Sequence, residues 1–144
     1  MALADISVPS SSAGLNASLT ARAPQALAVL RIVTAALFLA HGTAKFFAFP
    51  HVAMFDQMAV ISIYGLAGAL EIVGGVLLIV GLFVRPTAFV LSGFMAVAYF
   101  MAHAPKSFFP ILNGGDSAIQ FCFVFLYLVF AGGGAWTLDE KRGA

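Results

Sequence analysis

Residues 62–83 read SIYGLAGALEIVGGVLLIVGLF, and the length and continuity of that apolar run decide the fold class. A helix rises about 1.5 Å per residue, so roughly 20 mostly apolar residues cross a hydrocarbon layer about 30 Å thick. Only helices and closed barrels satisfy every backbone polar group in lipid, and a barrel strand alternates apolar with polar residues, which this run does not. Working outward from it, three further runs of the same kind lie at about 24–47, 86–102 and 117–136. The whole chain agrees: of 144 residues, 62% are hydrophobic and 9% charged, with a mean hydropathy of +1.02. A soluble core cannot absorb that much apolar surface. The expected fold is all-α, an integral membrane four-helix bundle.

The punctuation between runs sets the boundaries. Residues 1–24, rich in Ser and Ala and broken by Pro9, Gly14 and Pro24, read as a mobile N-terminal tail. With Arg22 its only basic residue and no apolar h-region, the tail does not resemble a secretory signal, so the first span is expected to be uncleaved. Pro24 suits the opening turn of the first helix, where its missing N–H would be unpaired anyway. Phe49-Pro50 ends that helix, and a connection carrying His51, Asp56 and Gln57, with room for a short interfacial helix, leads to the second. Arg85-Pro86 separates the second span from the third. A longer loop, 103–116, holds Pro105, Pro110 and the turn signal Asn113-Gly114-Gly115, after which Asp116 or Ser117 is placed to cap the fourth helix. Residues 25–138 form the membrane domain in this reading, and 139–144 a short cytoplasmic tail.

Charge and cysteine content exclude several functions. A net charge of +1 without a Lys/Arg cluster gives no footprint for nucleic acid and no polybasic lipid-binding segment. Cys122 is the single cysteine, so neither an internal disulfide nor a CxxC redox pair is possible. Arg22, Arg85, Lys141 and Arg142 gather at one set of span ends, Lys45 and Lys106 at the other. Both termini are therefore expected in the cytoplasm, and the 48–61 and 103–116 loops outside.

Ionisable groups inside a span are costly unless paired or hydrated, so they are where function is sought. Arg31, His41 and Lys45 fall on one broad face of the first helix, and Tyr64, Gly68, Glu71 and Gly75 share a face of the second. From the helical rise, Glu71 lies near mid-membrane, with His41 and then Lys45 progressively further out and Arg31 nearer the cytoplasm. Together with His103, at the end of the third helix, and Gln120, one turn into the fourth, they define an expected ligand-binding cluster: Arg31, His41, Lys45, Glu71, His103 and Gln120. Glu71 and His41 are the candidate proton-handling pair. The competing explanation is structural: Glu71 pairs with Arg31 or His41 to fix packing, while Lys45, His103 and Arg31 snorkel to the interfaces. No HxxxH or HExxH spacing is present, so no metal site is expected. The glycines of the second helix and the Gly132–Gly134 triplet suit close helix packing, and the Phe residues suit lipid or core, although aromatics beside a polar pocket would also suit a quinone ring.

Four stretches, RIVTAALFLAHGTAK (31–45), GALEIVGGVLLIVGLFVR (68–85), FFPILNGGDSA (108–118) and AGGGAWTLD (131–139), together resemble the DoxX family of small bacterial membrane proteins. The resemblance marks Arg31, His41, Gly42, Lys45, Glu71, Gly74, Gly75, Gly81, Arg85, Asn113, Gly114 and Asp139. Asp116 stands where a Glu is common, and Trp136 follows the glycine triplet where the pattern is looser. The resemblance implies a four-helix bundle in the bacterial cytoplasmic (inner) membrane, in a family with members in quinone-linked sulfur-compound oxidation and in oxidative-stress defence. The leading expectation is an accessory or redox-partner subunit, at most one part of a quinone-linked oxidoreductase complex. Its partners would be the lipid bilayer, a membrane or membrane-associated protein, and a quinone as possible cofactor. The alternative is a non-catalytic structural bundle that recruits or stabilises another membrane complex. A small transporter is less favoured, because no inverted repeat or pair of interrupted helices is visible.

Overall fold

The computed structural model describes residues 11–143, which are helical apart from short connections. Four apolar helices dominate: α1 (Ser11–Phe47), α2 (Ile63–Val80), α3 (Val84–Ala98, prolonged by a π-helical turn over Tyr99–His103) and, after the short α4 (Pro110–Asn113), α5 (Asp116–Ala131). A last helical turn, α6, covers Leu138–Lys141. The helices ending at Phe47, Val80 and His103 are long and apolar enough to cross a membrane, while α5, at 16 residues, is shorter.

Several boundaries differ from the sequence expectation. Helix α1 is already formed at Ser11, the first described residue, and carries Pro24 in its interior. Residues 13–26 are exposed, with the Pro24 carbonyl accepting from Ala135 N–H at 2.9 Å; Ala and Leu are strong helix formers, and continuing an existing helix is easier than starting one. The expected mobile segment is thus helical from residue 11, and its first ten residues lie outside the described part. In the 48–61 connection, whose Phe49-Pro50 peptide is cis, a single 3-10 turn forms at Ala53–Phe55. Neither Asp116 nor Ser117 caps α5: Gly115 holds the cap position and Asp116 is the first helical residue. The C-terminal segment is no free tail, because Asp139 reaches back to α3.

That contact belongs to a tight α2–α3 connection. Gly81 ends α2 in the left-handed conformation at φ 71°, and its missing side chain leaves room for Thr137. Phe83, also left-handed at φ 51°, precedes α3. Phe83 N–H and Val84 N–H donate to the two Asp139 carboxylate oxygens at 2.8 and 2.9 Å, which places an anion against the first turn of α3. Pro86 then sits in that turn, where no N–H is needed.

Packing is antiparallel and organised in pairs: α1 lies mainly on α2, and α3 on α5. Gly42 is backed by the Gly68 carbonyl and Ile72, so a side chain there would collide with α2, and Gly75 is in tight contact with Leu39 and Ala35. Along α3 and α5 three contacts recur at steps of seven residues. Gly115 packs under Tyr99, the Ser92 hydroxyl donates to the Cys122 carbonyl at 3.0 Å, and Arg85 donates to the Val129 and Phe130 carbonyls at 2.7 and 2.8 Å. Seven residues are close to two helical turns, which keeps one seam facing one partner. The pairs meet over a core of Ala35, Phe38, Leu78, Ala88, Leu91 and Phe125, with the Phe38 ring edge-on to Phe125 and Phe121 at 5.0 and 5.3 Å between centroids.

Replacing Asp139 by Ala removes two charge-assisted bonds from the start of α3. Asp139→Ala is expected to cost about 1–2 kcal/mol, read as a lower melting temperature of detergent-purified protein, with Asp139→Asn losing less.

Candidate functional site

The deepest ionic contact joins α1 and α2. Lys45 Nζ donates to both Glu71 carboxylate oxygens, at 2.6 and 2.8 Å, with the two side chains only 7% and 8% exposed. Its geometry follows from helix chirality. A Cα–Cβ bond tilts toward its helix N-terminus, so Lys45, two residues from the end of α1, leans back along the helix instead of snorkelling out. Its ammonium lies 3.4 Å from the His41 carbonyl one turn earlier. Small residues make the approach possible, since Gly68 packs directly against Lys45 and Phe46. The Phe55 ring, from the 3-10 turn of the connection, covers the ammonium at 4.9 Å from its centroid, a cation–π contact that also keeps water from that side.

At the opposite end of the molecule Arg31 is 0% exposed. Its guanidinium donates to five backbone carbonyls: Gly133 at 2.8 Å, Leu78, Ile79 at 3.0 Å, Ala135 at 3.2 Å and Trp136 at 3.4 Å. Leu78 and Ile79 close α2, where the helix dipole is negative and its last carbonyls lack partners within the helix. Arg31 therefore neither pairs with Glu71 nor snorkels to a headgroup. One buried cation satisfies the carbonyl-rich ends of two segments.

The six expected site residues thus do not converge. Lys45 and Glu71 meet, and Arg31 sits in its carbonyl cage. His41 is exposed on the surface of α1, its ring edge-on to Phe121 at 5.9 Å, and it makes no side-chain bond to Glu71. Gln120 is exposed on α5. His103 ends the π turn of α3 and ties it to the following loop: its Nδ1 donates to the Asn113 carbonyl at 3.0 Å, and its ring lies parallel to Tyr99. Asn113, buried at 4%, holds that loop together. It donates to the Ser107 carbonyl at 2.8 Å and accepts from Gly115 N–H at 2.8 Å. Asn113 was marked as part of a turn signal and by family resemblance, Asp139 by the resemblance, and Phe55 was not marked at all, since an aromatic in a connecting loop gives no sequence signal of the cation it covers.

Two concave regions lie away from the ion pair. An apolar groove of about 360 Å³ runs between α2 and α3 along Leu70, Val73, Gly74 and Leu91. A cleft of about 520 Å³ at the Arg31 end is lined by Pro24, Arg85, Gly132–Gly134, Thr137 and Glu140. Lys45 and Glu71 line neither. Among the described residues no three His, Cys, Asp or Glu side chains gather as a metal site, and no buried side-chain N or O lacks a hydrogen-bond partner.

The DoxX family profile matches residues 26–104, the stretch that holds Arg31, Lys45, Glu71 and Arg85. An uncharacterized protein of Haemophilus influenzae is 49% identical over 127 residues, covering 82% of this chain and 91% of that protein. No solved structure gives a significant match.

Breaking a buried ion pair strands the remaining charge, whereas replacing both partners does not. Lys45→Met is expected to cost about 3–5 kcal/mol, and Lys45→Met combined with Glu71→Met is expected to regain most of that stability. Thermal unfolding of the two variants in one detergent checks it.

Proposed function

This chain belongs to the DoxX family, and on that premise we propose that it is a non-catalytic accessory subunit that crosses the bacterial cytoplasmic membrane four times and stabilises another membrane protein. The observation that carries this reading is where the intramembrane charges go. Glu71 has both oxygens on Lys45, and Arg31 has its donors on backbone carbonyls, so these groups are consumed in holding helices together. A proton-handling group must be able to exchange partners with a substrate or with water, and the covered Lys45–Glu71 pair offers neither oxygen for that.

Four crossings are supported by the α3–α5 register, which brings the ends of the 16-residue α5 level with Tyr99 and Arg85. Cytoplasmic termini follow from the excess of Lys and Arg at the Arg31 end. What remains for a partner is the lipid-facing surface, where His41 and Gln120 are exposed polar side chains on adjoining helices. A polar side chain facing lipid is costly and is commonly met by a neighbouring helix.

A second reading, a quinone-linked redox subunit, has one observation in its favour: exposed His41 lies edge-on to the partly exposed Phe121, an edge that a flat conjugated ring could meet, with the buried Phe38 and Phe125 rings behind it. The two readings part in one experiment. The protein is extracted in mild detergent, and co-purifying proteins and isoprenoid quinones are quantified for the native chain, for the Lys45→Met, Glu71→Met double variant and for His41→Ala. The accessory role is expected to leave quinone content low in all three and to reduce partner recovery in His41→Ala. Stoichiometric quinone in the native chain, lost in His41→Ala while melting temperature holds, would replace it with the redox reading.

A further inference from the structure

The loop between α3 and α5 is unusual for a segment between membrane helices. It carries Phe108, Phe109, Ile111 and Leu112, exposed by 88%, 59%, 80% and 72%. Side chains of this size standing free in water form an apolar patch that a soluble surface rarely tolerates. The register of the two helices places the loop. Gly115 packs on Tyr99, so α5 starts level with the end of regular α3 helix, whereas α3 continues through its π turn to His103. The chain must therefore descend from His103 to Asp116 alongside that turn, and the His103–Asn113 bond at 3.0 Å fixes α4 at the same level. Val84–His103 is the 20-residue stretch apolar enough to cross a bilayer, so the loop lies beside the end of a membrane span and not beyond it.

We infer that Phe108–Leu112 is seated in the membrane boundary at the Lys45 end, with its apolar side chains among the lipid acyl chains and its occupant a lipid surface. Non-helical backbone at such a depth needs partners for its polar groups, and several groups of this loop have them. Asn113 supplies bonds to Ser107 and Gly115, Phe109 N–H donates to the Ser107 hydroxyl at 3.2 Å, and the Leu112 and Asn113 N–H groups return to the Phe109 carbonyl at 2.9 and 3.1 Å. The charges bracket the segment. Lys106 before it and Asp116 after it are both exposed, and Asp116, the first residue of α5, leans toward its helix N-terminus and so toward the headgroups. Phe100 and Met101 of the adjoining π turn are exposed as well, by 70% and 60%.

The test uses the full chain with Cys122→Ser, reconstituted in phosphatidylcholine and phosphatidylglycerol vesicles, with a nitroxide placed on Ile111→Cys, Leu112→Cys or Lys106→Cys. Relaxation by oxygen, which partitions into acyl chains, is compared with relaxation by a water-soluble nickel chelate. The expected result is an oxygen-to-nickel ratio several-fold higher at positions 111 and 112 than at 106. A ratio at 111 and 112 equal to that at 106 overturns the inference by placing the loop in water. Protection from both reagents overturns it by placing a second copy of the chain over the patch. Ile111 and Leu112 are exposed, so a label there does not disturb the core; retention of the native melting temperature verifies this.

Discussion

A guanidinium that donates to five backbone carbonyl oxygens is the contact on which the architecture turns. Arg31 ties α1 to the last turn of α2 and to the Gly133–Trp136 segment after α5, so one side chain joins the first, second and last parts of the fold. A helix end inside a low-dielectric region needs donors for its final carbonyls, and Arg offers five in a planar fork. The dipole of α2 supplies the compensating negative field. The surrounding sequence fits that arrangement: a side chain at Gly133 would press on Arg31 and collide with Thr137, and Gly134 lets the chain pass close to Pro24 and Ala28. With this end fixed, Lys45 and Glu71 set the register further along the same two helices.

Much of this was legible in the residues. The apolar runs located the helices, and Glu71 stood out because a carboxylate inside such a run demands a partner. The glycines of α2 marked a close helix contact, and Gly68 and Gly75 make it. The partner of Glu71 was not legible. Spacing places Arg31, His41 and Lys45 on one face, but it does not reveal which of three long side chains bends toward the carboxylate. That choice follows from the lean of each Cα–Cβ bond relative to depth, which sends Lys45 inward.

Helix rotation was the other hidden quantity. In a water-soluble helix a polar face shows which side turns outward, but a helix that is apolar all round carries no such mark. His41 and Gln120 were therefore assigned to the interior when they lie outside. The loop anchors were obscure for a related reason. Asn113 and Asp139 act on backbone groups distant in sequence, and a short polar residue near a turn signal looks the same whether it faces water or closes a buried network.

The placement of the ion pair bears on how the chain enters a membrane at all. Lys45 and Glu71 belong to consecutive helices joined by the 48–62 connection, while the links from α1 and α2 to α3 and α5 are sparser. A carboxylate delivered alone into hydrocarbon faces a steep barrier, yet as part of a helical hairpin it arrives with its counter-ion already opposite. The first two helices are thus able to partition together with Glu71 already neutralised by Lys45, and the second pair, whose polar ties run to its own backbone carbonyls, would dock onto them afterwards. Biogenesis of the molecule would then proceed hairpin by hairpin, with Arg31 as the final latch, engaged only when the chain beyond α5 has emerged.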